Sequence, residues 1–239
     1  MKTIGLIAGM SWESSVIYYR LINELVNERL GGLHSAKIIM ESVDFDEIET
    51  LQRQGNWKEL RKRMENIAYN LQEAGADCIV MCTNTMHKAA DSVQDLTDIP
   101  LIHIADATAE KIKESGLKKV ALLGTKITME EEFYKKRIAD KYDIAVITPT
   151  EEEMRLIDRI IFDELCLGKL NWHSRVDINR IIGWLADKGA EGVILGCTEL
   201  PLLISQRKLN EQLGYRRIIP LFNTLEIHVE AAVNFALQN

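Results

Sequence analysis

The sequence is poor in residues that punctuate or staple a chain: 239 residues hold 4 prolines and 4 cysteines, and 6% are aromatic. So few prolines, with no Pro-rich or Gly/Ser-rich tract, leave no flexible linker, so any two lobes must be tightly joined. Cys78, Cys82, Cys166 and Cys197 are scattered and form no C-x-x-C pair. That excludes a disulfide framework and, with no Cys/His cluster at ligand spacing, a zinc site. Positive charge is scarce as well: 29 Lys and Arg against 36 Asp and Glu give a net charge of −7. Nucleic acid and anionic membrane are therefore not expected as main partners, and short basic runs such as "LRKRM" (Leu60 to Met64) read as solvated helix faces. No apolar run approaches the ~20 residues needed to span a bilayer. "MKTIGLIAGM" lacks a signal peptide's longer apolar region and cleavage site, so the expected location is cytoplasmic. Phosphate loops are missing too. "GLIAGMSWES" is not G-x-G-x-x-G and no G-x-x-x-x-G-K-[ST] occurs, which argues against a nucleotide-binding module.

What is present is a core-forming composition, 46% apolar and 27% charged, arranged as alternating strands and helices. Buried strands are expected at "TIGLIAG" (Thr3 to Gly9), "AKIIMESV", "DCIVMC", "LIHIAD", "KKVALLGT", "IAVITP", "EGVILGC" and "RIIPLFNT". Helices are expected at Ser14 to Leu30, from Asn56 to a C-terminal cap at Gly75, Ala107 to Ser115, Glu151 to Leu167, Val176 to Lys188 and Glu226 to Leu237. Continuous apolar strands joined by helices imply an α/β protein with parallel sheets covered on both faces.

The sequence also repeats itself. "GADCIVMCTNT" (Gly75 to Thr85) matches "GAEGVILGCTE" (Gly189 to Glu199) at an offset of 114, and "KTIGLIAG" matches "KKVALLGT" at 116. Polar residues match at the strand ends as well as apolar ones within, and the first offset pairs Thr83 with Cys197. The expected fold is two similar α/β lobes related by a pseudo-two-fold, 1–107 plus 213–239 and 108–212, with the active site in the cleft between them. Ligands of open parallel sheets bind beyond the C-terminal strand ends. There the chain carries "AGMS" (Ala8 to Ser11), "CTNT" (Cys82 to Thr85), "GT" (Gly124, Thr125) and "GCTE" (Gly196 to Glu199). Thr83 and Cys197 would then face each other. Two proton-handling groups on opposite walls suit removal of a proton from one face of a carbon and its return to the other. Cys197-Thr198-Glu199 is expected to open a helix whose N–H groups lie near a bound carboxylate.

These residues resemble the aspartate/glutamate racemase superfamily, and in particular its aspartate racemase-like branch. The resemblance rests on "TNT" and "GCTE" in duplicated lobes, with "GMSWESS" and "CTNTMHK", and covers essentially the whole chain. It implies an isomerase that racemises an amino acid, aspartate or glutamate, with two bases, no pyridoxal phosphate or other cofactor, no metal, and frequently a homodimer. One departure stands out. The family's first base is the cysteine of a C-N-T triplet, and here that place holds Thr83, one residue after Cys82. Strand alternation turns Cys82 away from the direction of Thr83 and the repeat pairs it with Gly196, so Cys82 reads as packing. A bulge at the strand end would reverse the assignment.

By the family pattern Cys197 works on the L-face, and Thr83, or a water it holds, on the D-face; a hydroxyl donates a proton more readily than it abstracts one. Turnover would then look biased from L to D. Donors for the α-carboxylate are Asn84, Thr85 and Thr198. Acceptors for the α-amino group are Ser11, Thr125 or the carbonyl near Met10. Glu199 stands where glutamate racemases place a histidine that assists the cysteine, and the alternative for it is a helix N-terminal charge. For the substrate's side-chain carboxylate Gln52, on an expected helix, is favoured over Arg53. Cys166 and Lys169 lie near the place where some relatives carry a lysine, and His87 reads as a packing residue. The alternatives are another superfamily reaction (hydantoin racemase, maleate isomerase or decarboxylase) and a catalytically weak amino-acid-binding protein.

Overall fold

The computed structural model describes residues 1–213 and 219–238. By internal contacts the chain divides into two units, Met1–Ile104 with Leu225–Asn239, and Ala105–Thr224.

The first unit is built on a four-stranded parallel sheet, β1 (Ile4–Ala8), β2 (Ile38–Ser42), β3 (Cys78–Met81) and β4 (Leu101–Ile102), in the order β2-β1-β3-β4. The chain enters α1 (Trp12–Leu30) after β1, and α2 (Phe45–Arg53) and α3 (Trp57–Glu73) after β2. α3 buries Leu60, Met64, Ile67, Ala68 and Leu71, the one-sided spacing of a surface helix. It begins at the Asn56 cap and is followed by Gly75, whose φ of 94° suits glycine. Strand alternation sorts the core into two sets. Ile7, Ile79 and Met81 pack with the α3 residues. Ile4, Leu6, Cys78, Val80 and Cys82 pack with Tyr18, Ile22 and Val26 of α1 and with Val229 and Val233 of the helix Thr224–Leu237.

The second unit has its own parallel sheet, β5 (Lys119–Gly124), β6 (Ala145–Ile147), β7 (Gly192–Gly196) and β8 (Leu221–Asn223), in the order β6-β5-β7-β8. The order repeats that of the first sheet, and so does the register. Ile4 pairs with Cys78 in one sheet and Val120 with Gly192 in the other, the residues that the two sequence offsets equate. The return to the first unit falls at Thr224/Leu225 rather than at 212/213, because β8 pairs with β7 and stays with the second sheet.

The repeat reaches the hydrogen bonds. Gly75 and Gly189 have φ of 94° and 95°. The next acidic residue in each half accepts from the start of that half's first strand: Asp77 Oδ2 from Thr3 N at 2.6 Å, and Glu191 Oε2 from Lys119 N at 3.0 Å. Each half also has a glutamine that brackets its last strand. Gln94 accepts from Leu101 N (2.8 Å) and donates to Ile99 O (3.1 Å), while Gln206 accepts from Leu221 N (3.0 Å) and donates to Ile219 O (2.8 Å). Neither glutamine stands out in the sequence, although "IPL" occurs at both places.

Several boundaries differ from expectation. β4 is only two residues long, and the next helix already starts at Ile104 (Ile104–Glu114). The helical stretch from Glu151 changes character, with an α-helix to Arg159, a π turn over Ile160–Glu164 and a 3-10 turn over Leu165–Leu167. Of the expected strand "RIIPLFNT", Leu221–Asn223 is strand, and Arg217 and Ile218 lie outside the described residues. No helix among the described residues is long and apolar enough to cross a membrane.

Candidate active site

At the end of β1 the chain turns at Gly9, where φ is 94° and a Cβ would lie 2.3 Å from Val43 O. No other residue type fits that approach. The side chain of Met10 enters the core beside Ile7 and Met64, so only its main chain is left for a ligand. Ser11 caps α1 by accepting from Ser14 N at 3.4 Å, and its carbonyl accepts from Ser14 Oγ (3.1 Å) and Ser15 Oγ (2.7 Å).

The neighbouring strand β3 ends in a tight turn in which Thr83 N donates back to Met81 O at 2.7 Å. Asn84 leads into the 3-10 turn Thr85–Ala89. Cys82 is fully buried with Cys78 and Val80, and its Sγ lies 3.9 Å from Val80 O. Burial pushes its thiol pKa up. Thr83 is 8% exposed, and its Oγ1 has no hydrogen-bond partner among the described residues. His87 sits behind it, its Nδ1 2.7 Å from Thr83 O and its Nε2 3.2 Å from Ile104 N. Gln52 is on α2 as expected, and its amide donates to Met86 Sδ at 3.1 Å, next to Thr85. Arg53 is turned to Glu49 on the surface. In this unit Ser11, Thr83, Asn84 and Thr85 thus follow adjacent strands, with Gln52 beside them.

In the second unit the ends of β5 and β7 meet at Gly124 and Gly196. A Cβ on Gly124 would lie 2.6 Å from Gly196 O, and one on Gly196 would lie 2.9 Å from Leu123 O. This close approach sets where the next residues begin. Thr125 caps the helix Lys126–Glu130, with Oγ1 3.0 Å from Thr128 Oγ1, and Asp158 Oδ1 accepts from Lys126 N at 2.6 Å. Asp158 carried no signal in the sequence.

Cys197, Thr198 and Glu199 are all buried, and they form a compact cluster. Cys197 Sγ donates to Glu199 Oε2 at 3.0 Å, and Thr198 Oγ1 donates to the same oxygen at 2.8 Å. Burial first, and then the Glu199 charge, raise the Cys197 pKa well above the ordinary thiol range; the nearby half-buried Cys166 adds to the rise. The helix after the cluster is a single turn, Leu200–Leu203. It is too short to offer the helix N-terminus expected for a bound carboxylate, because Ile204 has already gone extended. The carboxylate of Glu199, rather than a helix dipole, is what stands against the thiol. Among the described residues no group of three or more His, Cys, Asp or Glu is arranged to hold a metal ion.

Two parallel sheets of like order each present hydroxyls and, in one case, a thiol at the ends of their strands. A family model described as Asp/Glu/Hydantoin racemase matches residues 7–232. The structure is similar to that of a putative Asp/Glu racemase from Yersinia pestis, with a TM-score of 0.89 and 49% identity over 100% of both chains. It is similar to an aspartate racemase homologue from Pyrococcus horikoshii OT3, with a TM-score of 0.83 and 37% identity, again over 100% of both. A broad specificity amino-acid racemase of Bacillus subtilis is 31% identical over 78 residues, 33% of this chain and 34% of that relative, so the match spans about a third of its length. The chain belongs to the Asp/Glu/hydantoin racemase family and is by class a racemase, an isomerase.

Proposed function

We propose that this protein racemises an acidic amino acid, aspartate or glutamate, without a cofactor, and that Cys197 and Thr83 handle the proton on the two faces of one α-carbon. The observation that carries the reading is the Cys197–Glu199 contact. A thiol held as SH by burial needs somewhere to send its proton before it can act as a base, and Glu199 Oε2 is 3.0 Å away. Transfer to Glu199 leaves a thiolate that takes the α-proton of the L-form. The carbanion then takes a proton from Thr83 Oγ1 or from a water that it holds. Solvent restores the Thr83 proton and removes the one on Glu199, so protons balance over the cycle.

Support for Thr83 comes from its hydroxyl, which has no partner among the described residues, and from the deep packing of Cys82. Asn84, Thr85 and Thr198 are assigned to the α-carboxylate, the Met10 carbonyl, Ser11 and Thr125 to the α-amino group, and Gln52 to the side-chain carboxylate. Because the enantiomers have equal free energy in water, kcat/KM must be equal in the two directions, and any L-to-D bias in kcat is matched by an equal bias in KM. A hydroxyl at Thr83, where the second unit has the Cys197 thiol, favours one second reading, a decarboxylase, which needs only one proton donor.

The test is α-proton exchange in D₂O with L- and D-aspartate and L- and D-glutamate. Exchange with interconversion supports racemisation. Absence of exchange for all four, unchanged by Cys197→Ser, removes it. Release of CO₂ without interconversion selects the decarboxylase.

A further inference from the structure

We propose that His87 is a positioning residue for proton transfer at Thr83, acting through the Thr83 main-chain carbonyl; this rests on the two-base reading above. The bonding partners fix the state of its ring. The Thr83 carbonyl can only accept, so Nδ1 carries the hydrogen across the 2.7 Å contact. The Ile104 amide can only donate, so Nε2 is the bare nitrogen that receives it at 3.2 Å. His87 is therefore a neutral imidazole of one tautomer, 3% exposed. Its ring is packed edge-on against His103, with centroids 4.6 Å apart, and against His228 at 5.7 Å.

Thr83 needs such a brace. It lies past the last strand residue, Met81, so no sheet ladder holds it. Its N–H is turned back onto Met81 O, and its C=O is held by His87. Both main-chain groups are fixed while the hydroxyl has no partner among the described residues. The other end of the brace is the first residue of the helix Ile104–Glu114, the last residue before the chain enters the second unit. One ring thus ties the strand end that carries Thr83 to the next strand-to-helix junction. Without it, the Thr83 carbonyl loses the partner that holds it and the hydroxyl loses its aim.

The experiment compares wild type with Thr83→Ala, His87→Asn and His87→Gln, all checked for folding by circular dichroism. It uses L-aspartate or L-glutamate in D₂O, whichever turns over, and reads two rates: α-proton exchange of the L-form, and appearance of the D-form. An Asn amide can donate from about the Nδ1 position, which keeps the Thr83 bond. A Gln oxygen reaches about the Nε2 position, which keeps Ile104 and gives up Thr83. The expected result is that His87→Gln behaves like Thr83→Ala, exchanging the L-form at near wild-type rate. Formation of the D-form should fall about 10- to 100-fold in kcat, with KM little changed, as for a catalytic group misplaced by about 1 Å. His87→Asn is expected to stay within about threefold of wild type, a small loss on the same scale. Equal racemisation by the Asn and Gln variants, or parallel loss of exchange and racemisation in both, overturns the role of His87 alone. A Thr83→Ala variant that racemises like wild type overturns the two-base reading and, with it, this inference.

Discussion

Cys197 and Glu199 share one proton-bearing contact, Sγ to Oε2 at 3.0 Å, inside a cluster with no more than 6% exposure at either residue. The contact raises the thiol pKa and also supplies the acceptor for its proton, so removing the charge should separate the two effects. In Glu199→Gln the thiol loses a neighbouring negative charge, and its alkylation by iodoacetamide should extend to lower pH than in wild type. Racemisation should nevertheless fall by about 10²- to 10⁴-fold, the usual worth of a positioned proton acceptor. A variant that racemises at the wild-type rate would remove Glu199 from the reaction.

Cys82 and Thr83 stand side by side in the sequence and in different surroundings. Cys82→Ala should cost about 1–3 kcal/mol of stability through the cavity it leaves beside Val80 and Tyr18, and should keep turnover. Thr83→Ala should change stability little and slow interconversion about 10- to 100-fold. Urea unfolding and a polarimetric assay read the two quantities, and an inverted pattern would move the first acid/base group to Cys82.

His228 gives the protein an acid limit. Its Nε2 donates to Ile102 O at 2.7 Å and its Nδ1 accepts from Tyr18 OH at 2.9 Å, and burial lowers its pKa from 6.5 to about 4. A histidine whose folded pKa is depressed stabilises the fold fully above its unfolded pKa and loses that contribution as pH falls through the folded value. Stability should therefore decline between pH 6.5 and 4, by roughly 3 kcal/mol in all from this group. Urea melts at pH 7 and pH 4.5 should differ less in His228→Gln than in wild type.

Gly124→Ala sets a Cβ against a main-chain oxygen, 2.6 Å from Gly196 O, where no rotamer change gives relief. A loss of about 1–3 kcal/mol is expected, as for overpacking in a core, along with lower activity because the strain reaches the residue before Cys197. Gly116→Ala, at a turn with open space and a φ of 73°, should leave kcat unchanged and serves as the control.

The sheets were legible because their strands are continuous apolar runs, and the duplication because two offsets, 114 and 116, differ by the two residues that the strand registers also differ by. The strand ends were legible through the same repeat, and the burial of Cys82 followed from its place two residues beyond Val80. What could not be read depends on long-range closure. The Asp158 contact to Lys126 spans 32 residues, and nothing local marks it. The His87 bond to Thr83 is local, but its significance rests on Ile104, 17 residues further on. The single-turn helix after Glu199 was overestimated because a strand followed by polar residues reads as a helix start wherever no breaker intervenes. Gln94 and Gln206 were missed because a glutamine near a strand looks like any surface residue.

The two halves differ just ahead of their proposed acid/base residues. In the first, Cys82 fills a pocket between α1 and the sheet; in the second, Gly196 has main chain where a side chain would go. Tolerance to substitution should therefore be uneven across the duplication. Position 82 can exchange one small apolar residue for another and leave Thr83 where it stands. Position 196 admits no exchange at all without displacing Cys197, so the half that carries the thiol is the half with the narrower evolutionary path.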